Sequence, residues 1–123
     1  MENDSEFTVR RRKMIERYVR EGYLKEGSEL AEAMGKVHRE LFMPERYREN
    51  SYTDNAFPIP SFSSDGQTIS APYTYPLFYR PLELGEGDKF LEIGTGSGYG
   101  AALAKKIVGR DIETWSKEIF GEG

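Results

Sequence analysis

Apolar positions in the first part of the chain recur at helical spacing. In residues 5–22, SEFTVRRRKMIERYVREG, Met14, Ile15, Tyr18 and Val19 share one face while Arg10 to Lys13, Arg17 and Arg20 turn mostly elsewhere, which predicts an amphipathic helix closed near Gly22. Glu6, Glu16 and Glu21 interrupt the basic cluster, so it reads as a solvated face and not as a nucleic-acid surface. A second helix follows, with Ser28 as N-cap ahead of Glu29 and with Leu30, Met34 and Val37 at helical spacing. The period is then lost. HRELFMPERYRENSYTDNAFPIPSFSSDG is rich in Pro, Ser, Asn and Asp with interspersed aromatics, the mark of a long ordered loop anchored by Leu41, Phe42 and Phe57.

Beyond this loop the pattern changes to one of short segments and glycine turns. TISAPYTYPLFYRPLEL can begin a helix at Pro72, a residue tolerated at the first helical position, with Pro76 and Pro81 set to kink or end it. LGEGD is a turn, KFLEI a buried strand, SGYGAALAKKIVG a helix closed by Gly109, and DIETW a second strand. Strand, glycine loop, helix and strand in that order open a doubly wound parallel sheet.

Composition narrows the function classes. The 123 residues are 37% hydrophobic and 31% charged, enough apolar content for one core under a well-solvated surface. The net charge of −4 offers no global positive field, so neither nucleic acid nor an anionic membrane is an expected partner. No apolar run approaches the ~18 residues of a membrane span, and the acidic start MENDSEF is unlike a signal peptide. The absence of cysteine excludes disulfides and thiolate chemistry, one histidine supplies a zinc site poorly, and we expect no metal and a cytoplasmic location.

The chemistry concentrates in KFLEIGTGSGYGAALAKKI, where Gly94, Gly96, Gly98 and Gly100 alternate between a strand and a helix. A parallel strand ends where the next helix exposes unpaired N–H groups and positive dipole potential, and glycines remove the side chains that would keep a ligand out. The spacing fits a dinucleotide fingerprint poorly. Read from Gly94, its third position is Tyr99; read from Gly96, it is Ala101, which would set the turn two residues past the strand end. The better register is ExGxGxG, Glu92 to Gly98, a cradle for a nucleoside cofactor.

LEIGTGSGYGAALA resembles the cofactor loop of class I S-adenosylmethionine-dependent methyltransferases. Together with RELFMPERYRENSYTD and GQTISAPY upstream, in this order and spacing, the chain from about Val37 to Ile107 is similar to the protein-L-isoaspartate O-methyltransferase family. The resemblance implies an α/β, Rossmann-like class I methyltransferase fold, here truncated after the second strand, within one structural domain. Residues 1–85 would supply N-terminal helices and a substrate-side loop, and residues 86–123 the start of the S-adenosylmethionine-binding part. It also implies an enzyme that moves a methyl group from S-adenosyl-L-methionine to a carboxylate of L-isoaspartyl residues in damaged proteins. A carboxylate is ionised at neutral pH and the sulfonium carries its own leaving group, so such an enzyme needs positioning and exclusion of water more than a general base.

Residue by residue, the resemblance assigns Ser70 to the active-site serine, Gln67, Thr68 and Ile69 to the cofactor lining, and Glu92, Gly94, Gly96 and Gly98 to the cofactor loop. Asp54, Phe57, Pro58 and Ile59 fall in the substrate-side segment. Ser70 is also placed to cap the helix expected from Pro72. The chain departs from the pattern in three places. Tyr75 stands where many relatives have histidine and Pro76 where they run an unbroken helix; the PSFSSD stretch is longer than the equivalent turn; and the ribose-binding carboxylate position falls on Ser116, with Glu118 the nearest substitute. Relatives continue beyond EIFGEG, so the expectation includes apolar surface left uncovered and self-association or pairing with a complementing chain. A non-catalytic remnant, a methyltransferase with another acceptor and a dinucleotide oxidoreductase are the competing readings.

Overall fold

A computed structural model describes residues 2–59, 68–93, 96–109 and 113–115. Four α-helices, three 3-10 turns and two small sheets make up the described elements. Helix α1, Glu2–Arg20, buries Phe7, Arg11, Met14 and Tyr18, a stripe at spacings of three and four. Ile15 and Val19 pack beside that stripe. The stripe corrects the expectation that the arginines turn away. Arg11 precedes Met14 by three residues and so shares its face, and it is buried because Glu40 lies opposite, 3.1 Å from its Nη2. Tyr52 completes this network: its hydroxyl accepts from Arg11 Nε at 2.7 Å and from the Arg39 backbone N–H at 3.2 Å, and donates to Glu40 Oε1 at 2.5 Å.

Helix α2, Glu29–Lys36, starts where the pattern places it, the Ser28 hydroxyl accepting from the Ala31 N–H at 3.2 Å. It buries Leu30, Ala31, Ala33 and Met34 between α1 and the last helix. The long loop holds more regular structure than its composition suggests. Two 3-10 turns, Arg39–Phe42 and Glu45–Asn50, lead to β1, Phe57–Pro58, which pairs antiparallel with β2, Thr68–Ile69, in the register Phe57 to Ile69 and Pro58 to Thr68. Of the three anchors expected in this loop, Phe42 stacks edge-on to Tyr99 and Phe57 leans on Tyr47, whereas Leu41 is 73% exposed and anchors nothing. Arg39 and Glu40 take the inward side of that short turn in its place.

Helix α3 spans Thr74–Tyr79, two residues later than the start expected at Pro72. Turn bonds from Thr74 to Ala71 and from Tyr75 to Pro72 occupy the approach, and Tyr73 sits at the N-cap with no side-chain cap bond, so Ser70 does not cap this helix. Pro76 is the third helical residue, where its missing N–H would have had no intrahelical acceptor, and it is buried without breaking the helix. Pro81 lies in the 3-10 turn Arg80–Leu82 that ends this segment.

Strand β3, Leu91–Ile93, pairs parallel with β4, Glu113–Trp115, in the register Leu91 to Glu113, Glu92 to Thr114 and Ile93 to Trp115. Helix α4, Tyr99–Val108, connects them, packs on α2 and buries Tyr99, Leu103, Ala104, Ile107 and Val108. This is the parallel strand, helix, strand unit expected from the pattern. The strand is shorter than KFLEI, and Leu91 is 59% exposed, contrary to the reading of a fully buried strand. Leu77, Phe78 and Leu82 of the α3 segment are exposed as well. No helix among the described residues is long and apolar enough to cross a membrane.

Candidate functional site

The connection from β3 to α4 is built on backbone that only glycine adopts easily. Gly96 has φ +57° and Gly98, at the N-cap of α4, has φ +89°. A cleft of about 340 Å³ opens beside it. One wall is Thr68, Ile69 and Ser70 of β2 and the residues just after it; a second is Thr74, Tyr75, Phe78 and Tyr79 of α3; the floor is Glu92 with Gly96, Ser97 and Gly100. The GQTISAPY and LEIGTGSGY motifs, separated by 17 residues of sequence, thus meet across one opening.

Glu92 reaches the cleft from the middle of β3. Its Oε2 lies 3.3 Å from the Tyr79 hydroxyl, which donates to the Gly100 carbonyl at 2.9 Å, while its Oε1 is buried with no hydrogen-bond partner among the described residues. A buried carboxylate oxygen left in this state suits a cationic or hydroxyl donor brought in by a ligand. Burial, followed by the adjacent Glu92 charge, pushes the Tyr79 hydroxyl well above its ordinary range, so it stays a neutral donor.

Gly100 is the glycine that the loop register underrates. A Cβ there would lie 2.8 Å from both Glu92 Oε2 and the Tyr79 hydroxyl and 3.2 Å from Tyr75 Cε1, so side chains converge on a bare helical backbone. At Gly96 and Gly98 an added Cβ would meet only ordinary contacts, 3.9 Å to Ile59 Cδ1 and 3.8 Å to Phe42 Cε1, and there it is the positive φ that asks for glycine. The signal in the sequence was the fourth member of the alternating series.

Ser70 follows β2, half-buried on the cleft wall, with its carbonyl accepting from Arg39 Nη2 at 2.7 Å. Tyr75 packs edge-on to Tyr99 at 4.9 Å and brings its hydroxyl to Ser70. Burial raises the Tyr75 hydroxyl above its usual range, and the neighbouring Arg39 guanidinium and Ser70 hydroxyl pull partly against that rise. Thr68 and Ile69 line the cleft, Ile69 buried and Thr68 exposed. Gln67 and Gly94 lie outside the described residues, as do Ser116 and Glu118.

The substrate-side residues divide. Ile59 borders the glycine loop, and Phe57 and Pro58 hold β2 in place by pairing with Ile69 and Thr68. Asp54 does not line the cleft; its carboxylate accepts from Arg17 at 2.5 Å and from the Tyr18 hydroxyl, which ties the loop to α1. Sequence reasoning missed Arg39 altogether, since nothing in RELF distinguishes a buried arginine from a solvated one.

A family model described as protein-L-isoaspartate(D-aspartate) O-methyltransferase matches residues 9–120. A protein-L-isoaspartate O-methyltransferase of Ignicoccus hospitalis is 45% identical over 113 residues, covering 92% of this chain and 51% of the relative. The protein-L-isoaspartate O-methyltransferase 2 of Archaeoglobus fulgidus is 40% identical over 117 residues, 95% of this chain and 51% of the relative. The chain therefore spans about half the length of the curated relatives it matches. Among solved structures, a protein-L-isoaspartate O-methyltransferase superposes with a TM-score of 0.70 at 28% identity, over 86% of this chain and 33% of that one. A Plasmodium falciparum protein solved in complex with S-adenosyl-L-homocysteine superposes with a TM-score of 0.66 at 22% identity, over 86% of this chain and 47% of its own, a likeness of fold.

Proposed function

Because the chain belongs to the protein-L-isoaspartate(D-aspartate) O-methyltransferase family, we propose that its cleft holds the methionyl end of S-adenosyl-L-methionine against Ser70 and serves methyl transfer to the carboxylate of L-isoaspartyl residues in damaged proteins. The observation that carries the reading is the meeting of Ser70 with the unpartnered, buried Oε1 of Glu92 across a floor of bare glycine backbone. S-adenosylmethionine, when bound, supplies a methyl group already activated on a sulfonium. Glu92 is suited to its ammonium group, Thr68 and Ile69 to one side of it, and Gly96 and Gly98 to its approach along the backbone. Gln67 and Gly94 belong to the same proposal.

This chain's own residues then have three tasks. Ser70 donates a hydrogen bond that orients the acceptor carboxylate. Tyr75, Phe78 and Ile69 exclude the water that would otherwise solvate that carboxylate and blunt it as a nucleophile. The neutral hydroxyl of Tyr79 holds Glu92 away from the acceptor, so that the two carboxylates do not repel each other. No proton has to be removed from the nucleophile, which suits a cleft without histidine among its lining residues. In a chain without cysteine we place this work in the cytoplasm.

Two measurements test the reading. Calorimetry should show S-adenosylhomocysteine binding to the chain, and labelled S-adenosylmethionine should mark an isoaspartyl peptide as a base-labile methyl ester. Ser70→Ala should lower kcat/KM by about 10- to 100-fold, the worth of one hydrogen bond to a charged group, with S-adenosylhomocysteine affinity unchanged. Folded protein that binds no S-adenosylhomocysteine would sink the proposal. A second reading, association with another copy or with a complementing chain, is favoured by exposed Leu77, Phe78, Leu82 and Leu91. A monodisperse monomer in light scattering would remove it.

A further inference from the structure

Arg39 is 0% exposed, yet no carboxylate lies within ion-pairing distance of it among the described residues. The neighbouring acid, Glu40, is occupied by Arg11 and Tyr52. Neutral groups hold the guanidinium: Nε donates to the Ser51 carbonyl at 2.5 Å, Nη2 donates to the Ser70 carbonyl at 2.7 Å, and Cζ stands 5.0 Å from the centre of the Tyr99 ring. Nη1 has no hydrogen-bond partner among the described residues. A cation left in this state is costly, and the cost falls when a negative group comes near. The cleft is where one could come, because Ser70 and Tyr75 separate Arg39 from it and both line it.

We propose that Arg39 is a positioning residue that gives the cleft its preference for an anionic acceptor: it fixes Ser70 through its carbonyl and places beneath the wall a positive charge that an entering carboxylate neutralises. Arg39 touches no acceptor atom. Its field passes through the Ser70 peptide and the Tyr75 hydroxyl, in surroundings less screening than water. The inference rests on the reading of the cleft as the acceptor site, and it adds the origin of discrimination between an acid and its amide. The two forms are nearly the same in shape, so contacts alone separate them poorly, whereas a buried charge separates them directly.

The test uses two peptides identical except at the acceptor, one isoaspartyl and one isoasparaginyl, titrated into the chain in the presence of S-adenosylhomocysteine. The wild type should favour the acid by about 10- to 50-fold, the scale of a charge interaction several ångströms long under protein screening. Arg39→Gln removes the charge and keeps one amide nitrogen near the position of Nε, a donor for the Ser51 carbonyl, while the Ser70 carbonyl loses its donor. It should bind both peptides alike, the acid having lost its preference beyond any weakening common to the two. Equal weakening of both peptides would mean that Arg39 only supports the fold, and would overturn the inference. Should Arg39→Gln fail to fold, Arg39→Lys decides: the preference should persist with the charge, and its loss overturns the proposal. A wild type that binds both peptides equally overturns this inference alone. A wild type that binds S-adenosylhomocysteine but neither peptide overturns the acceptor reading and this inference with it.

Discussion

Two buried polar groupings lie close together in this molecule and are finished to different degrees. On the α1 side, Arg11, Glu40 and Tyr52 use one another fully, and none of their polar atoms is left without a partner. On the cleft side, Arg39 Nη1, Glu92 Oε1 and the Tyr99 hydroxyl are buried and unpartnered. Both groupings cost desolvation, but among the described residues the first recovers it fully and the second in part. The difference teaches where stability and function separate. A closed network fastens α1 to the loop that carries the site, while in the open one Glu92 keeps unmet hydrogen-bonding capacity on the cleft floor, where a ligand can meet it.

The largest expected effect comes from breaking the closed network. Glu40→Ala leaves Arg11 buried without its counter-ion, and removing one member of such a pair costs about 3–5 kcal/mol. Chemical denaturation should register that loss. Replacing Arg11 and Glu40 together by Met and Leu should recover most of it, because the apolar pair removes both charges at once. If the single variant is as stable as the wild type, the α1 network is not what holds the loop, and the contrast between the two groupings collapses.

A smaller effect is expected at Gly100, and its sign sharpens the comparison. In the first turns of an ordinary exposed helix, glycine to alanine stabilises by up to about 1 kcal/mol. Here the added Cβ would lie 2.8 Å from Glu92 Oε2 and from the Tyr79 hydroxyl, so both must move and the hydroxyl's bond to the Gly100 carbonyl is strained or lost. Gly100→Ala should destabilise by about 1–3 kcal/mol and weaken S-adenosylhomocysteine by roughly 10-fold or more, measured by calorimetry. A stabilised variant with unchanged affinity would show that Glu92 need not hold its present position.

The elements that sequence made legible are those with a local cause. Ser28 announces α2 because a capping hydroxyl acts within one turn, and the glycine series announces β3 and α4 because chain reversal at a strand end needs positive φ. The β1–β2 pair was hidden because two-residue strands are specified by their partner across the loop and have no period of their own. Arg11 and Arg39 were hidden for a related reason: each is buried by groups from distant segments, Glu40 and Tyr52 for one, Ser51 and Ser70 for the other. At the site, the motifs named Ser70 and Glu92, whereas Tyr79 as the link between Glu92 and Gly100 followed from the packing of α3 against α4. Leu91 read as buried because KFLEI carries Phe90, Leu91 and Ile93 within one short strand, but burial of a strand depends on what covers its faces.

The smallest effect lies at Ser28, and it asks whether the two groupings are independent. Ser28→Ala removes the cap bond to the Ala31 N–H and should cost about 1 kcal/mol, visible as a few degrees in the thermal midpoint. Helix α2 packs on α4, and Ser28 shares a second cavity of about 350 Å³ with Glu29 and Tyr79, the same tyrosine that holds Glu92 in the cleft. Two routes therefore run from the cap to the site, one through the α2–α4 contact and one through Tyr79. If the cleft is preorganised by its own glycines and aromatic wall, S-adenosylhomocysteine affinity in Ser28→Ala stays within twofold of the wild type while stability falls. An affinity that falls in step with stability would mean that α2 sets the position of Tyr79 and Gly100, and that the open grouping borrows its order from the closed side of the molecule.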